Sequence, residues 1–229
     1  MSKKYISMLF VFSLFSISTY IFSLKYGNIE NIKYVYNSDE LKCKFSISNI
    51  SEKNDKYEVL VYYPITENKE LNKKINENIN KYIENFKNNI TEGANRLIIK
   101  FDNFENNNYT SFVFNVSMQK NTSHTIDYAF AYNLDNEKNK IITIDNLLNS
   151  GYNIAKIKDS ILNELKEKES IKKYGNLDEI KKYINDDKEK YTNFYFTKNE
   201  IVFFFNPGKI SPNVAGILYV PIQIDKIKQ

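Results

Sequence analysis

The chain of 229 residues has one histidine, His124, and one cysteine, Cys43. These two residues bound most of the chemistry it can do. Zinc hydrolases use two or three histidine ligands with a carboxylate, and a single histidine cannot supply them. A Ser–His–Asp triad would need His124 beside a serine on a strained elbow, and no G-x-S-x-G occurs. A Cys43–His124 dyad is formally available. However, Cys43 lies in LKCKFSIS, where alternation places Cys43, Phe45 and Ile47 on one face. That pattern reads as a packed, inert thiol, and one cysteine forms no intramolecular disulfide. His124 follows NTS at a strand start and reads as a surface or turn residue. Neither G-x-x-x-x-G-K nor G-x-G-x-x-G appears, so no phosphate loop is expected.

Paired carboxylates could cut glycosidic bonds if two faced one cleft. The candidates Asp127, Asp135, Asp145, Glu200 and Asp225 are scattered along the chain. Asp145, in TIDNLL, reads better as a helix N-cap or turn acceptor, and Asp186-Asp187 reads as part of a solvated mixed-charge helix. The expectation is therefore no catalytic residue, no metal ligand set and no cofactor.

One stretch stands apart. FFFNPGKISPNVAGILYVPI (203–222) holds three of the chain's four prolines and two of its six glycines. Pro207-Gly208 is a turn dipeptide, and the glycine supplies positive φ where the turn needs it. Pro212 lacks a donor and belongs at an edge or bend. In one reading the segment connects two strands, with Ile210 plugged into the core. In the other it is a proline-stiffened loop presented to a partner, with Pro207, Gly208, Lys209, Ser211, Pro212 and Asn213 as the contact residues. Prolines there reduce the entropy lost on binding. The readings are compatible, because loops on rigid scaffolds commonly carry function.

The elements around this stretch follow from periodicity. Residues 33–49 read as extended, 51–55 (SEKND) as a turn and 56–63 (KYEVLVYY) as a strand stopped by Pro64. Thr66 is a plausible N-cap for a helix reaching about Asn89. That helix carries Leu71, Ile75, Ile79, Tyr82, Ile83, Phe86 and Ile90 at spacings of three and four. Residues 97–105 and 109–119 form a hairpin pattern, and 124–134 is the next strand. DNEKNK turns the chain into 141–148. Helical stretches near 154–168 and 177–190 are separated by YGN. Strands follow at 193–197, 201–205 and 217–224. Strands and helices look segregated, which favours an α+β fold with antiparallel sheets and packed helices, in two closely associated subdomains. We place these at 26–120 and 121–229.

Hydrophobic residues make up 42% of the chain and aromatics 15%, enough for a substantial core. The richness in isoleucine, lysine and asparagine resembles codon drift and is discounted as functional evidence. The 32 basic and 28 acidic residues are interleaved and give a formal net charge of +4. Nucleic-acid binders gather basic charge on one face, so no nucleic-acid partner is expected. At the N-terminus, Lys3 and Lys4 precede an uncharged apolar run at 5–24 that ends at Lys25. Its length can span a bilayer as a helix. The positive flank orients the rest of the chain outward. Ser16-Ile17-Ser18 is a weak cleavage site inside the run. Residues 1–25 are thus expected to be a signal peptide or an uncleaved anchor. The remainder is expected to be exported, at the outer face of the cytoplasmic membrane or secreted.

The order of segments resembles a known family. YYPITENKELNKKIN (62–76), DYAFAYNLDNEKNKIITIDNLL (127–148) and NFYFTKNEIVFFFNPGKISPNVAG (193–216) together look like the RsiV/PdaC-like domain of unknown function. That domain occurs in lysozyme-sensing anti-sigma factors and ahead of the catalytic domain of peptidoglycan deacetylases. The resemblance covers about 55–226. It implies an extracytoplasmic cell-envelope binding domain, non-catalytic, recognising a protein such as lysozyme or peptidoglycan glycan. The departures are informative. Only MSKK precedes the apolar run, so a sigma-binding role is not expected, and neither is a metal-dependent domain after residue 229. Members often carry an aromatic after the first proline of the signature, where this chain has Gly208, and Asn213 follows the second. The +4 charge fits acidic wall polymers better than a basic protein such as lysozyme. The competing expectations are a carboxylate-dependent hydrolase of wall glycan and a structural domain that packs beside another envelope protein.

Overall fold

A computed structural model describes residues 34–35, 43–121, 124–186 and 193–228. The apolar run at 5–24, with the anchor expected there, lies outside the described residues. Among those residues, no helix is long and apolar enough to cross a membrane.

Seven strands lie side by side in chain order: β1 (Tyr34–Val35), β2 (Phe45–Lys53), β3 (Tyr57–Thr66), β4 (Asn95–Glu105), β5 (Tyr109–Lys120), β6 (His124–Asp135) and β7 (Lys140–Ile142). All neighbours are antiparallel except β3 and β4, which run parallel from Tyr57↔Asn95 to Val61↔Ile99. Parallel neighbours need a long crossover, and α1 (Lys69–Lys87) supplies it. One strand–helix–strand unit therefore sits inside an otherwise segregated α+β fold.

Three local expectations are corrected here. Residues 51–53 are not turn but the end of β2. The chain reverses at Asn54, whose Oδ1 accepts from the Lys56 and Tyr57 amides. Pro64 does not stop β3; it pairs with Ile47 inside the strand. β4 leaves β3 after Val61, so beyond it β3 has one free edge, where a missing N–H costs no ladder bond. Thr66 is not the N-cap of α1. Its amide and hydroxyl donate to Asn72 Oδ1 at 2.9 Å each, and Asn68 is the cap, accepting from the Leu71 amide at 2.8 Å.

The stripe of α1 behaves as its spacing demands. Leu71, Ile75, Ile79, Ile83 and Phe86 are buried against Val59, Val61, Leu97, Ile99, Phe112, Phe114 and Phe130. Each such side chain contributes roughly 1.5–3 kcal/mol. Phe114 and Phe130 stack across β5 and β6 with ring centroids 4.5 Å apart, and Tyr82 stacks on Phe130. Ile90 falls past the helix end and is half-buried. Cys43 and Phe45 are buried in this core, and Ile47 packs against it.

A second sheet has β9 (Glu200–Phe205) between β8 (Phe194–Phe196) and β10 (Leu218–Gln223), all antiparallel. Five helices accompany it: α2 (Ile144–Asn149), α3 (Ile154–Glu167), α4 (Glu169–Tyr174), α5 (Leu177–Asp186) and α6 (Ile224–Ile227). Ile201, Phe203 and Phe205 share a core with Ile157, Ile161, Leu165, Ile171, Ile180 and Ile184 of the helices. Val202 and Phe204 alternate to the opposite side and are also buried. A strand buried on both faces reads as an unbroken apolar run, as IVFFF does. Asp145 is not an N-cap: Thr143 caps α2 in a capping box with Asn146, and Asp145 sits in the first turn.

The two sheets are joined by polar groups as well as rings. β8 pairs with β9 on one side only, which leaves the Phe194 carbonyl and the Phe196 amide on its outer edge. Fully buried Ser111 accepts from the Phe196 amide at 2.9 Å and donates to Asn133 Oδ1 at 2.7 Å. Asn133 Nδ2 then donates to the Phe194 carbonyl at 2.9 Å. Tyr109 stacks on Phe196 at 4.2 Å and Phe104 on Tyr195 at 4.9 Å. Replacing Ser111 or Asn133 by Ala strands a buried strand-edge group, at a cost of about 1–3 kcal/mol each. Urea unfolding of S111A and N133A will show this as a lower midpoint with an unchanged slope.

Burial also sets a pH limit. It pushes the Cys43 thiol up to about 11 from 9.0 and the Tyr132 phenol up to about 12 from 10.0. The unfolded chain loses these protons first, so they leave stability unchanged below pH 9 and lower it as pH rises through 9 to 12. Urea titrations across that range will show the fall. C43A will lack the part between pH 9 and 11.

Candidate functional site

The loop from Asn206 to Gly216 is built from its two ends inward. Asn206 ends the strand run, and its side-chain amide copies a backbone pairing. Its Oδ1 accepts from the Ala129 amide at 2.7 Å, and its Nδ2 donates to the Ala129 carbonyl at 2.9 Å. This ties the loop's start to β6. The Lys209 amide donates to the Asn206 carbonyl at 3.3 Å, closing a turn with Pro207 second and Gly208 third. Gly208 has φ +75°, as a type II turn requires. Pro207 is buried, and Ile210 enters the helix-side core at 8% exposure, as the plug reading expected. The Gly208 amide donates to the Ser211 carbonyl at 3.0 Å, and a short 3₁₀ turn (Asn213–Ala215) returns the chain to β10.

The loop forms one wall of a cleft of about 430 Å³; the junction of α4 and α5 forms the other. The lining comprises Gly208, Lys209, Ile210, Ser211 and Pro212 from the loop and Tyr174, Asn176, Glu179, Ile180 and Tyr183 from the helices. Of the contact residues expected from sequence, Gly208, Lys209, Ser211 and Pro212 thus line one cleft. Pro207 lies beneath the turn, and Asn213 lies beside it, 2.9 Å from where a Gly208 Cβ would stand.

The helix wall was not visible in the sequence. YGN marks only a break between helices, yet it places Tyr174 and Asn176 on the cleft. Asn176 Oδ1 accepts from the Asp178 and Glu179 amides and so sets the start of α5. Ile180 and Ile210, both buried, lie under the cleft, and Lys173 Nζ stands 4.9 Å from the centroid of the Tyr174 ring.

The carboxylates considered for hydrolysis come from several elements; Glu200 acts on the Tyr195 phenol and Asp127 on the neighbouring Tyr219 phenol, and Asp102 acts on both. Asp135 is buried at the β6–β7 turn, accepting from the Glu137 and Lys138 amides. Glu200 accepts from Gln223 at 2.7 Å. Asp145 and Asp225 occupy first turns of α2 and α6. Asp127, on β6, joins Asp102 in raising the Tyr219 phenol, an effect due first to burial. His124 is the first residue of β6 and pairs with Lys120. Among the described residues, no group of three His, Cys, Asp or Glu could hold a metal ion.

The turn supports a direct test of the loop's geometry. G208A will destabilise the protein by about 1–2 kcal/mol, because an L side chain is strained at this φ and its Cβ would meet Asn213 Oδ1. Thermal unfolding will show the loss, and G208A/N213A will recover only the steric part.

Comparison with known proteins bears on the fold and on part of the chain. Residues 145–225 match the model of DUF3298, described as a protein family of unknown function. No protein of curated function matches the chain. A solved DUF3298 family protein from Pseudomonas aeruginosa PAO1 covers 81% of this chain and 94% of its own, at 8% identity and a TM-score of 0.51. Another, from Bacteroides fragilis NCTC 9343, covers 82% and 94% at 13% identity and a TM-score of 0.48. The first of these likenesses concerns the fold alone. The family resemblance read from sequence therefore stands at a coarser level: residues 145–225, with β8, β9, the loop and most of the helices, are similar to DUF3298.

Proposed function

We propose that this chain is an extracytoplasmic cell-envelope binding domain, exported and either membrane-anchored or secreted. It binds its partner at the cleft between the Pro207–Asn213 loop and the start of α5. The partner is a protein such as lysozyme or the glycan of peptidoglycan.

One observation supports this reading above the rest. The large hydrophobic side chains exposed among the described residues are Ile126 at 38%, Tyr174 at 44%, Leu177 at 41% and Val214 at 75%. One of these four lines the cleft, and two more lie within two residues of its lining residues in the chain. Tyr174 lines it, Leu177 lies between the lining residues Asn176 and Glu179, and Val214 follows Asn213 at the loop. Single exposed apolar residues are ordinary, and an exposed aromatic ring lining a concave site is the kind of group that interaction surfaces use. Tyrosines placed there carry a large share of binding energy. The support is rigid, because Asn206, Ile210 and the turn hold the loop wall from beneath.

The test measures binding of the full chain, in detergent, to lysozyme and to purified peptidoglycan at two salt concentrations. Saturable binding to one of them is expected. Y174A and V214A are each expected to weaken it at least about tenfold, the scale of an interface hot spot. Binding that both variants leave unchanged contradicts the cleft, and binding to neither target contradicts the named partners.

A further inference from the structure

β6 is long, and its neighbour on one side is short. β7 pairs with it only from Asn133↔Ile142 to Asp135↔Lys140, whereas β5 pairs along its whole length. Before Asn133, one edge of β6 therefore has no strand beside it. Asn206 fixes how the backbone is turned there. The Ala129 N–H and carbonyl both bind the Asn206 side chain, so they point away from β5. Outward positions recur every second residue along an antiparallel strand, so Thr125, Asp127 and Ala131 also turn their N–H and carbonyl groups outward. Among the described residues, none of these groups has a hydrogen-bond partner. Asn206 occupies the edge at Ala129 and so limits the open stretch to His124–Tyr128. Thr125, Ile126 and Asp127 are all exposed, Ile126 at 38%, so neither face of the strand is covered there. The stretch has neither the proline nor the bulge that blunts an edge against pairing.

The side chains select what pairs at this edge. Asp127 lies on the sheet face turned toward the small sheet, the face that also carries Asn133 and, on β4, Asp102. Asp102, Asp127 and Glu200 gather around two phenols on that side. Burial raises both phenols first; Asp102 and Asp127 then raise Tyr219, and Tyr219, Asp102 and Glu200 raise Tyr195. Lys100 and Arg96 share the face but stand on β4, two strands in, and Arg96 is paired with Glu58. A second copy of the chain would bring like carboxylates together at the edge, whereas a cationic strand gives Asp127 an opposite charge across the pair. On the other face, Ile126 calls for an apolar neighbour. We propose that the His124–Tyr128 edge accepts an extended segment of another polypeptide as an added antiparallel strand, with basic side chains beside Asp127 and apolar ones beside Ile126. The basic residues then stand opposite Thr125 and Asp127 and exchange backbone hydrogen bonds with them, and the apolar residues turn their amides to solvent. The edge shares no residue with the lining of the loop–helix cleft, so it is a second surface and does not rest on the first.

The test titrates the full chain, in detergent, with an end-blocked octapeptide of alternating lysine and valine, followed by NMR. Saturable binding is expected, with shifts at the Thr125 and Asp127 amides. N-methylation of the lysines removes the donors that face β6 and is expected to weaken binding at least about tenfold. N-methylation of the valines, whose amides face solvent, is expected to leave binding unchanged. The glutamate–valine counterpart is expected to bind at least about tenfold more weakly. D127K, at an exposed position, should fold normally and lower affinity for the lysine peptide about fivefold, the upper range for an exposed pair. Y174A, in the cleft, should leave it unaltered. Equal effects of the two methylations, equal affinity for the glutamate peptide, shifts confined to the cleft, or no binding would overturn the inference. Self-association without peptide, seen as concentration-dependent shifts at the same amides, would assign the edge to a second copy and overturn it as well. Failure here leaves the cleft untouched, and absence of lysozyme and peptidoglycan binding leaves the edge untouched.

Discussion

β8 is a three-residue strand laid against another sheet with one edge unpaired. Its outward carbonyl and amide cannot be left buried without partners, since each would cost about 1–3 kcal/mol. Ser111 and Asn133, neighbours in register on β5 and β6, satisfy both groups and each other. This side-chain clasp substitutes for a missing strand. It lets the small sheet lie on the large one without merging into it, so the small sheet can be apolar on both sides. The stacked pairs Tyr109–Phe196 and Phe104–Tyr195 then close around the clasp.

The cleft inherits its geometry from that junction. Its loop wall begins at Asn206, which binds Ala129 on β6, two rows along from Asn133 on the same face. Its helix wall rests on the core that β9 shares with α3, α4 and α5. Both walls are therefore referred to one frame. A loop with two prolines, a glycine held at positive φ and a buried isoleucine loses little freedom on binding, which favours affinity per contact.

Much of this was legible from periodicity. The α1 stripe, the strands β4 to β6 and the apolar run of β9 follow from spacing alone, because each is a local pattern facing one core. What failed was non-local. The parallel pairing of β3 with β4 depends on where the crossover helix returns, and only that pairing explains why Pro64 can sit inside a strand. The helix wall of the cleft is distant in sequence from the loop it faces. Discounting asparagine as compositional drift hid the most. Asn68 caps α1, Asn95 donates to the Lys56, Thr91 and Gly93 carbonyls, Asn133 completes the clasp, and Asn206 anchors the loop. Asparagine carries both a donor and an acceptor and can stand in for a peptide group, as it does at these four places.

The central claim is that the junction, and with it the frame of the cleft, opens only when the whole protein unfolds. Native-state hydrogen exchange at the Phe196 amide, which donates to the buried Ser111 hydroxyl, tests it most directly. The account predicts that this amide exchanges with the same opening free energy and denaturant dependence as the central amides of β5. Exchange by a smaller, denaturant-independent opening would show that the small sheet detaches on its own, and would contradict it.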